Sequence, residues 1–138
     1  MKKKIYFCGS IRGAKAEDNL YKKIIDHMKN NGHTVLTEHI GDIKKNEKER
    51  KDDKDIYNQD MSFLTESDIV IAECTYPSIG VGYELRSAEI LKIETHVFYD
   101  KKKTELSAMI NGDEYYNIHR YETLDELFKI LDEILGDL

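Results

Sequence analysis

Ile69-Val70-Ile71-Ala72 is an unbroken apolar run, and eight residues that mix a proline, two glycines and a carboxylate follow soon after it: Pro77-Ser78-Ile79-Gly80-Val81-Gly82-Tyr83-Glu84. The first stretch reads as a strand buried on both faces, extending from Ile69 to Cys74. The second reads as a glycine-rich turn, with a helical pattern beginning at Tyr83. A strand that ends in such a turn and feeds a helix gathers backbone N–H groups and the positive end of the helix at one place. Glu84 falls in the first turn of the expected helix, where the dipole favours its ionised form. That form is the one a carboxylate nucleophile needs.

The same alternation extends in both directions. Further strands are predicted at Ile5 to Cys8, Thr34 to Thr37, His96 to Tyr99 and Tyr115 to His119. Leu20, Tyr21, Ile24, Ile25 and Met28 recur at helical spacing, and Asn31-Gly32 supplies the stop. Ile56, Phe63 and Leu64 mark a second helix, and Tyr83 to Leu91 a third. A fourth follows Thr123, which forms a capping box with Glu126. Its apolar stripe is Leu124, Leu127, Phe128, Leu131, Ile134 and Leu135. Strict βα alternation predicts an α/β fold, a three-layer sandwich around a five-stranded parallel sheet. The expected strand order is the flavodoxin-like, Rossmann-like 2-1-3-4-5. Lys44 to Asp55 is almost entirely charged and reads as a mobile loop leading into the second helix.

Composition narrows the partners. The 138 residues suit one domain, and 35% charged residues suit a heavily solvated surface. A net charge of −6 argues against nucleic-acid polymers and anionic membranes, both of which reward a basic surface. No apolar stretch approaches membrane-spanning length. Met1-Lys2-Lys3-Lys4 is basic, but the few apolar residues before Gly9 are too few for a signal sequence. Two cysteines, Cys8 and Cys74, read as small buried hydrophobes at strand ends in a reducing compartment. No Cys/His spacing resembles a metal site.

In an open parallel sheet, ligands bind beyond the carboxyl ends of the strands where strand order reverses. That point lies between strands one and three. The turns there are Gly9-Ser10-Ile11-Arg12-Gly13 and the Ser78 to Glu84 segment, two glycine-bearing loops facing one crevice. Their N–H groups, hydroxyls and the Arg12 guanidinium suit a phosphate. Neither loop has the spacing of a P-loop or dinucleotide fingerprint. Asp60 falls on the inward face of the second helix, where a carboxylate is costly unless paired or used. A structural bond to a loop would explain it, and so would a pairing with Glu84 across the pocket for glycosidic chemistry. Tyr6 on strand one could reach a carboxylate in the crevice. His39 lies just past strand two on the same edge. The remaining histidines are assigned no role.

On these residues the chain resembles the 2′-deoxynucleoside 5′-phosphate N-hydrolases, a branch of the nucleoside 2-deoxyribosyltransferase-like superfamily. The resemblance rests on Tyr6-Phe7-Cys8-Gly9-Ser10-Ile11-Arg12-Gly13, Leu36-Thr37-Glu38-His39 and Gln59-Asp60. It continues in Pro77 to Leu85 and in Leu106-Ser107-Ala108-Met109-Ile110. The blocks follow in order with similar spacing across residues 1–138, which implies a single domain of that kind.

The resemblance implies a cytoplasmic homodimer that cleaves the N-glycosidic bond of a deoxynucleoside monophosphate without a cofactor or metal. It implies Glu84 as the nucleophile, Asp60 as the group assisting leaving-group protonation, and Tyr6 as positioning or tuning Glu84. Ser10, Arg12, Gly13, Ser78 and Gly80 would surround the 5′-phosphate. Phe7, Cys8, Gly9, Ser10, Ile11, Arg12 and Gly13 would line the pocket with Tyr21 and His39. Ser107, Ala108 and Met109 would reach the partner subunit's site. Three other functions fit the same framework: a nucleoside 2-deoxyribosyltransferase, a ribonucleotide N-hydrolase, and a non-catalytic nucleotide-binding module.

Overall fold

A computed structural model describes residues 1–16, 19–38 and 52–137. The five strands are β1 (Lys4–Gly9), β2 (Thr34–Val35), β3 (Ile69–Glu73), β4 (Glu94–Asp100) and β5 (Asn117–Tyr121), all parallel, in the order β2-β1-β3-β4-β5. The expected topology is therefore the observed one. The helices are α1 (Ile11–Ala16), α2 (Leu20–Asn30), α3 (Asp53–Glu66), α4 (Ile79–Ile90), α5 (Ala108–Asn111) and α6 (Leu124–Leu135).

Side-chain alternation along the strands divides the core in two. Ile5 and Phe7 of β1 and Ile69 and Ile71 of β3 pack with Tyr21, Ile24 and Met28 of α2 and Leu127 and Leu131 of α6. Tyr6, Cys8, Val70 and Ala72 point the other way, against Leu64 of α3 and Val81, Leu85 and Ala88 of α4. The central strands are apolar on both faces because both faces are covered. On the first face, α6 is tied to α2 by His27 and Asp132 at 2.7 Å, and the residues after α6 are tied to the turn after α2 by His33 and Asp137 at 2.7 Å.

Beyond shifts of one or two residues at the ends of β1, β3 and β4, the elements depart from the sequence reading as follows. The third helix begins at Ile79 rather than Tyr83, because Ser78 accepts the Val81 N–H at 3.2 Å and so starts the helix at the glycines. Glu84 therefore sits in the second turn, not the first. The turn after β1 contains a short helix of its own, α1. Strand two stops at Val35 because the Thr37 side chain takes over its pairing, accepting the Phe7 N–H at 2.9 Å and donating to the Phe7 carbonyl at 2.8 Å. Strand five begins at Asn117, since Asp113 accepts the Tyr115 N–H at 3.0 Å and holds Tyr115 in a turn.

Residues 39–51, which include His39 and most of the charged stretch, lie outside the described residues. Within that stretch, Asp52 caps α3 by accepting the Asp55 N–H at 2.9 Å, so Asp53 to Asp55, expected to belong to the loop, form the first turn of the helix instead. At the last helix, Thr123 accepts the Glu126 N–H at 3.2 Å. The Glu126 carboxylate reaches back to the N–H of Glu122, one residue before the cap, at 3.3 Å.

Candidate active site

β1 and β3 run side by side, with Tyr6 paired to Val70 and Gly9 paired to Glu73. Both strands therefore release their loops at the same edge of the sheet. The first loop is Ser10 and α1; the second runs from Cys74 to Ser78. Ser10 accepts the Gly13 N–H at 2.7 Å and caps α1. Ser78 caps α4, so each loop presents a serine at a helix start.

The two glycines of the first loop are required by close approach. A Cβ on Gly9 would lie 2.5 Å from the Tyr21 ring, and one on Gly13 would run into the Tyr21 hydroxyl. Gly80 is different, because a Cβ there would meet only Ser78 Oγ, at 3.8 Å. It leaves open space beside that serine.

On the α3/α4 face of the sheet, the Tyr6 hydroxyl donates to Oε2 of Glu84. Tyr6 is buried, and Glu84 is half-buried. Burial pushes the Glu84 carboxyl up to about 7; the Tyr6 hydrogen bond pulls it down, and the Asp60 charge pushes it up. The helix dipole does not reverse this, since its effect fades beyond the first turn. The Tyr6 hydroxyl is itself raised, chiefly by burial. Asp60 of α3 acts on Glu84, Tyr6 and the Cys8 thiol. Two half-buried carboxyl groups and a buried phenol, from three separate elements, thus lie within electrostatic reach of one another. Such a pair holds one proton more readily than two charges.

The structure gathers Tyr6, Asp60 and Glu84 on one face of the sheet and sets Ser10, Arg12, Gly13 and Ser78 on the two loops above the same edge, with Gly80 in the first turn of α4. Arg12 and Ile11 are exposed. The side chains of Phe7 and Tyr21 lie in the opposite core layer, ring against ring at 5.4 Å, so they support the first loop from beneath. Cys8 is buried behind Tyr6, and burial raises its thiol and that of Cys74. Ser107, Ala108 and Met109 stand on the surface around α5, where Ser107 accepts the Met109 N–H at 3.3 Å. The sequence reading passed over Glu73, a buried carboxylate at the end of β3. An acidic residue closing an apolar strand was the signal for it.

An open five-stranded parallel sheet with a carboxylate pair at its reversal point defines an α/β protein built to work on a small ligand at the sheet's carboxyl edge. Comparison with known proteins makes this particular. The family model described as nucleoside 2-deoxyribosyltransferase matches residues 5–119, and the chain belongs to that family. A Trichoplax adhaerens protein provisionally named 2′-deoxynucleoside 5′-phosphate N-hydrolase 1 is 39% identical over 139 residues, spanning 94% of this chain and 95% of its own length. A 5-hydroxymethyl-dUMP N-hydrolase from Danio rerio is 41% identical over 140 residues, spanning 97% of this chain and 96% of its own. Among solved structures, a CMP N-glycosidase from Clostridium botulinum shares the fold with a TM-score of 0.72 at 15% identity, covering 96% of this chain and 100% of that one.

Proposed function

We propose that this protein hydrolyses the N-glycosidic bond of 2′-deoxynucleoside 5′-monophosphates, releasing a free base and 2-deoxyribose 5-phosphate. The observation that carries the reading is the Tyr6–Glu84 hydrogen bond, with the Asp60 charge acting on both groups, below two serine-capped loops. The names of the relatives support the same bond and the same substrate class.

In this mechanism Glu84 attacks C1′, and the bonding pair of C1′–N leaves with the base. Asp60 delivers a proton to the departing nitrogen. Water then attacks C1′ and gives a proton to the Asp60 carboxylate, and Glu84 is released. Donation from the Tyr6 O–H favours the ionised Glu84 that the attack requires. Deoxyribose lacks the 2′-hydroxyl and supports an oxocarbenium-like centre more readily, so the carboxylates suffice. Ser10, Arg12, Gly13, Ser78 and Gly80 grip the 5′-phosphate. Gly9 to Gly13 form the pocket's wall on this side, with Phe7 and Tyr21 supporting that loop from beneath rather than lining it.

The working unit in this reading is a homodimer. Ile79, Tyr83 and Ile90 form an exposed apolar stripe on α4, the helix that carries Glu84, and Ile79 is 95% exposed. Exposed stripes of this kind mark contact surfaces. Met109, 82% exposed at the tip of α5, would enter the neighbour's pocket with Ser107 and Ala108. The free cysteines Cys8 and Cys74 suit a reducing, cytoplasmic setting.

The test is a paired assay of dGMP and deoxyguanosine, each with and without a second free base, with 5-hydroxymethyl-dUMP in the panel. Two or three charge-assisted bonds to phosphate favour the monophosphate by roughly 10²- to 10⁴-fold in kcat/KM. Free base from dGMP with little turnover of deoxyguanosine is the expected result. Exchange of the sugar onto the second base, or equal rates on both substrates, would overturn it in favour of the transferase that the family description names.

A further inference from the structure

Glu73, the last residue of β3, is 1% exposed, yet it is a carboxylate. Such a group is costly to bury unless its oxygens are occupied. Oε1 accepts the Thr75 N–H at 2.9 Å, and Oε2 accepts both the Thr75 hydroxyl at 2.7 Å and the Tyr121 hydroxyl at 2.6 Å. The Asp100 N–H donates to Thr75 Oγ1 at 2.9 Å, which leaves the Thr75 proton for Glu73. One carboxylate thus ties the chain leaving β3 to the ends of β4 and β5.

Further contacts carry this tie into the crevice. Tyr76, the residue after Thr75, lies against the first loop: a Cβ on Gly13 would be 2.9 Å from its ring. The Tyr21 hydroxyl sits under the same glycine, and its proton is held more tightly by burial and by the Glu73 charge. Two residues beyond Tyr76 is Ser78, the cap of α4. Glu73 is therefore linked to both serine-bearing loops while remaining on the face of the sheet opposite Glu84.

We propose that Glu73, through Thr75 and Tyr121, is a positioning residue for the 5′-phosphate subsite, holding the Ser10 and Ser78 loops at the spacing the phosphate requires. It does so without touching substrate. This inference rests on the phosphate reading given above. A carboxylate that merely stabilised the sheet would affect all ligands alike, whereas a positioning residue acts on the phosphate alone.

The experiment measures Kd for dGMP and for deoxyguanosine by calorimetry in a Glu84→Gln background, where neither is turned over. That reference protein should bind dGMP more tightly; equal affinities there would overturn the phosphate reading itself, and this proposal with it. Tyr121→Phe and Thr75→Val each remove donors from Glu73, and each should weaken dGMP about tenfold, the worth of one charge-assisted bond, while leaving deoxyguanosine within about twofold. Thr75→Ser keeps the hydroxyl and should bind like the reference. Glu73→Gln should act in the same direction, and the two neighbouring variants carry the test if it does not fold. With the reference preference intact, equal weakening of both ligands or undiminished dGMP binding in Tyr121→Phe and Thr75→Val would overturn the positioning role.

Discussion

Tyr6 on β1 donates its hydroxyl hydrogen bond to Oε2 of Glu84 on α4. A phenol buried to 1% exposure is an expensive way to fill a core, and here its polar end is spent on one carboxylate. Donation favours the ionised carboxylate, burial opposes it, and Asp60 opposes it further. Those three influences leave Glu84 at about 7, close to neutral pH.

The pH profile should therefore move in opposite directions in two variants. If ionised Glu84 is the nucleophile, kcat/KM on dGMP rises with pH through about 7 and then levels. Tyr6→Phe removes the bond that favours ionisation, so this limb should shift to higher pH. Asp60→Asn removes a repelling charge, so the limb should shift lower, with activity reduced by the loss of the acid. Shifts of the same sign in both variants would count against this arrangement of the three groups.

A stability measurement tests the same site without substrate. The Glu84 carboxyl is raised from 4.5 to about 7 in the fold, so the folded protein binds more protons than the unfolded chain between those values. Its contribution to stability is present below the lower value and is lost as pH rises through the upper one. Glu84→Gln has no charge to bury. It should raise the Tm at pH 8 relative to wild type, by an equivalent of up to about 3 kcal/mol. At pH 4 the two proteins should melt together. A larger difference at pH 4 than at pH 8 would contradict the raised carboxyl.

Much of this arrangement is legible in the chain. The apolar runs at Ile5 and Ile69 fix the central strands because alternating partners on both faces demand continuous hydrophobicity, and the strand order follows from βα alternation. The start of α4 was hidden, since glycines at 80 and 82 read as a turn while the Ser78 cap and the packing of Val81 and Leu85 make them helical. Thr37 shortened β2 by substituting its side chain for backbone pairing, which no strand pattern reveals. Asp60 and Glu84 could be nominated from their positions. Tyr6 was nominated too, as a phenol able to reach a carboxylate in the crevice, but that it donates to Glu84 Oε2 in particular needed the assembled sheet. Glu73 was missed for a related reason: its donors Thr75 and Tyr121 come from two different segments.

The first loop offers a double-mutant test. Gly13→Ala drives a methyl group into the Tyr21 hydroxyl and should destabilise the protein by about 1–3 kcal/mol, as overpacking does. Tyr21→Phe removes the nearest of the atoms in the way, while the Tyr76 ring at 2.9 Å and Ser10 Oγ at 3.0 Å remain, so the combined variant should recover part of the loss. Gly80→Ala meets only Ser78 Oγ at 3.8 Å and lies in a helix, so it should be neutral or stabilising by up to about 1 kcal/mol. Its dGMP binding should nevertheless fall, because the methyl group occupies space beside Ser78. Chemical denaturation and calorimetry read the two effects separately. Additive loss in Gly13→Ala/Tyr21→Phe, or unchanged dGMP binding in Gly80→Ala, would refute the respective point.

Association between copies gives the last prediction. The stripe of Ile79, Tyr83 and Ile90 lies on the helix that carries Glu84, and Met109 projects from α5 with 82% of its surface exposed. If Met109 and Ser107 complete a neighbour's pocket, each active site is built from two chains related by a two-fold axis. Glu84→Gln then spoils the site through its own chain, and a Ser107→Ala/Met109→Ala double variant spoils its partner's. Mixing the two inactive proteins creates heterodimers in which one pocket takes Glu84 from the double variant and an intact Ser107 and Met109 from the other chain. At equal amounts and random exchange, about half of the dimers are mixed and each holds one good site, so about a quarter of wild-type activity should return. Ile79→Glu placed in the stripe should instead yield monomers, with activity lost and Tm lowered less than a core substitution would lower it. Light scattering and the dGMP assay read both outcomes. No recovery on mixing, once subunit exchange has been confirmed with labelled chains, would return Ser107 and Met109 to their own chain's site or remove them from any site.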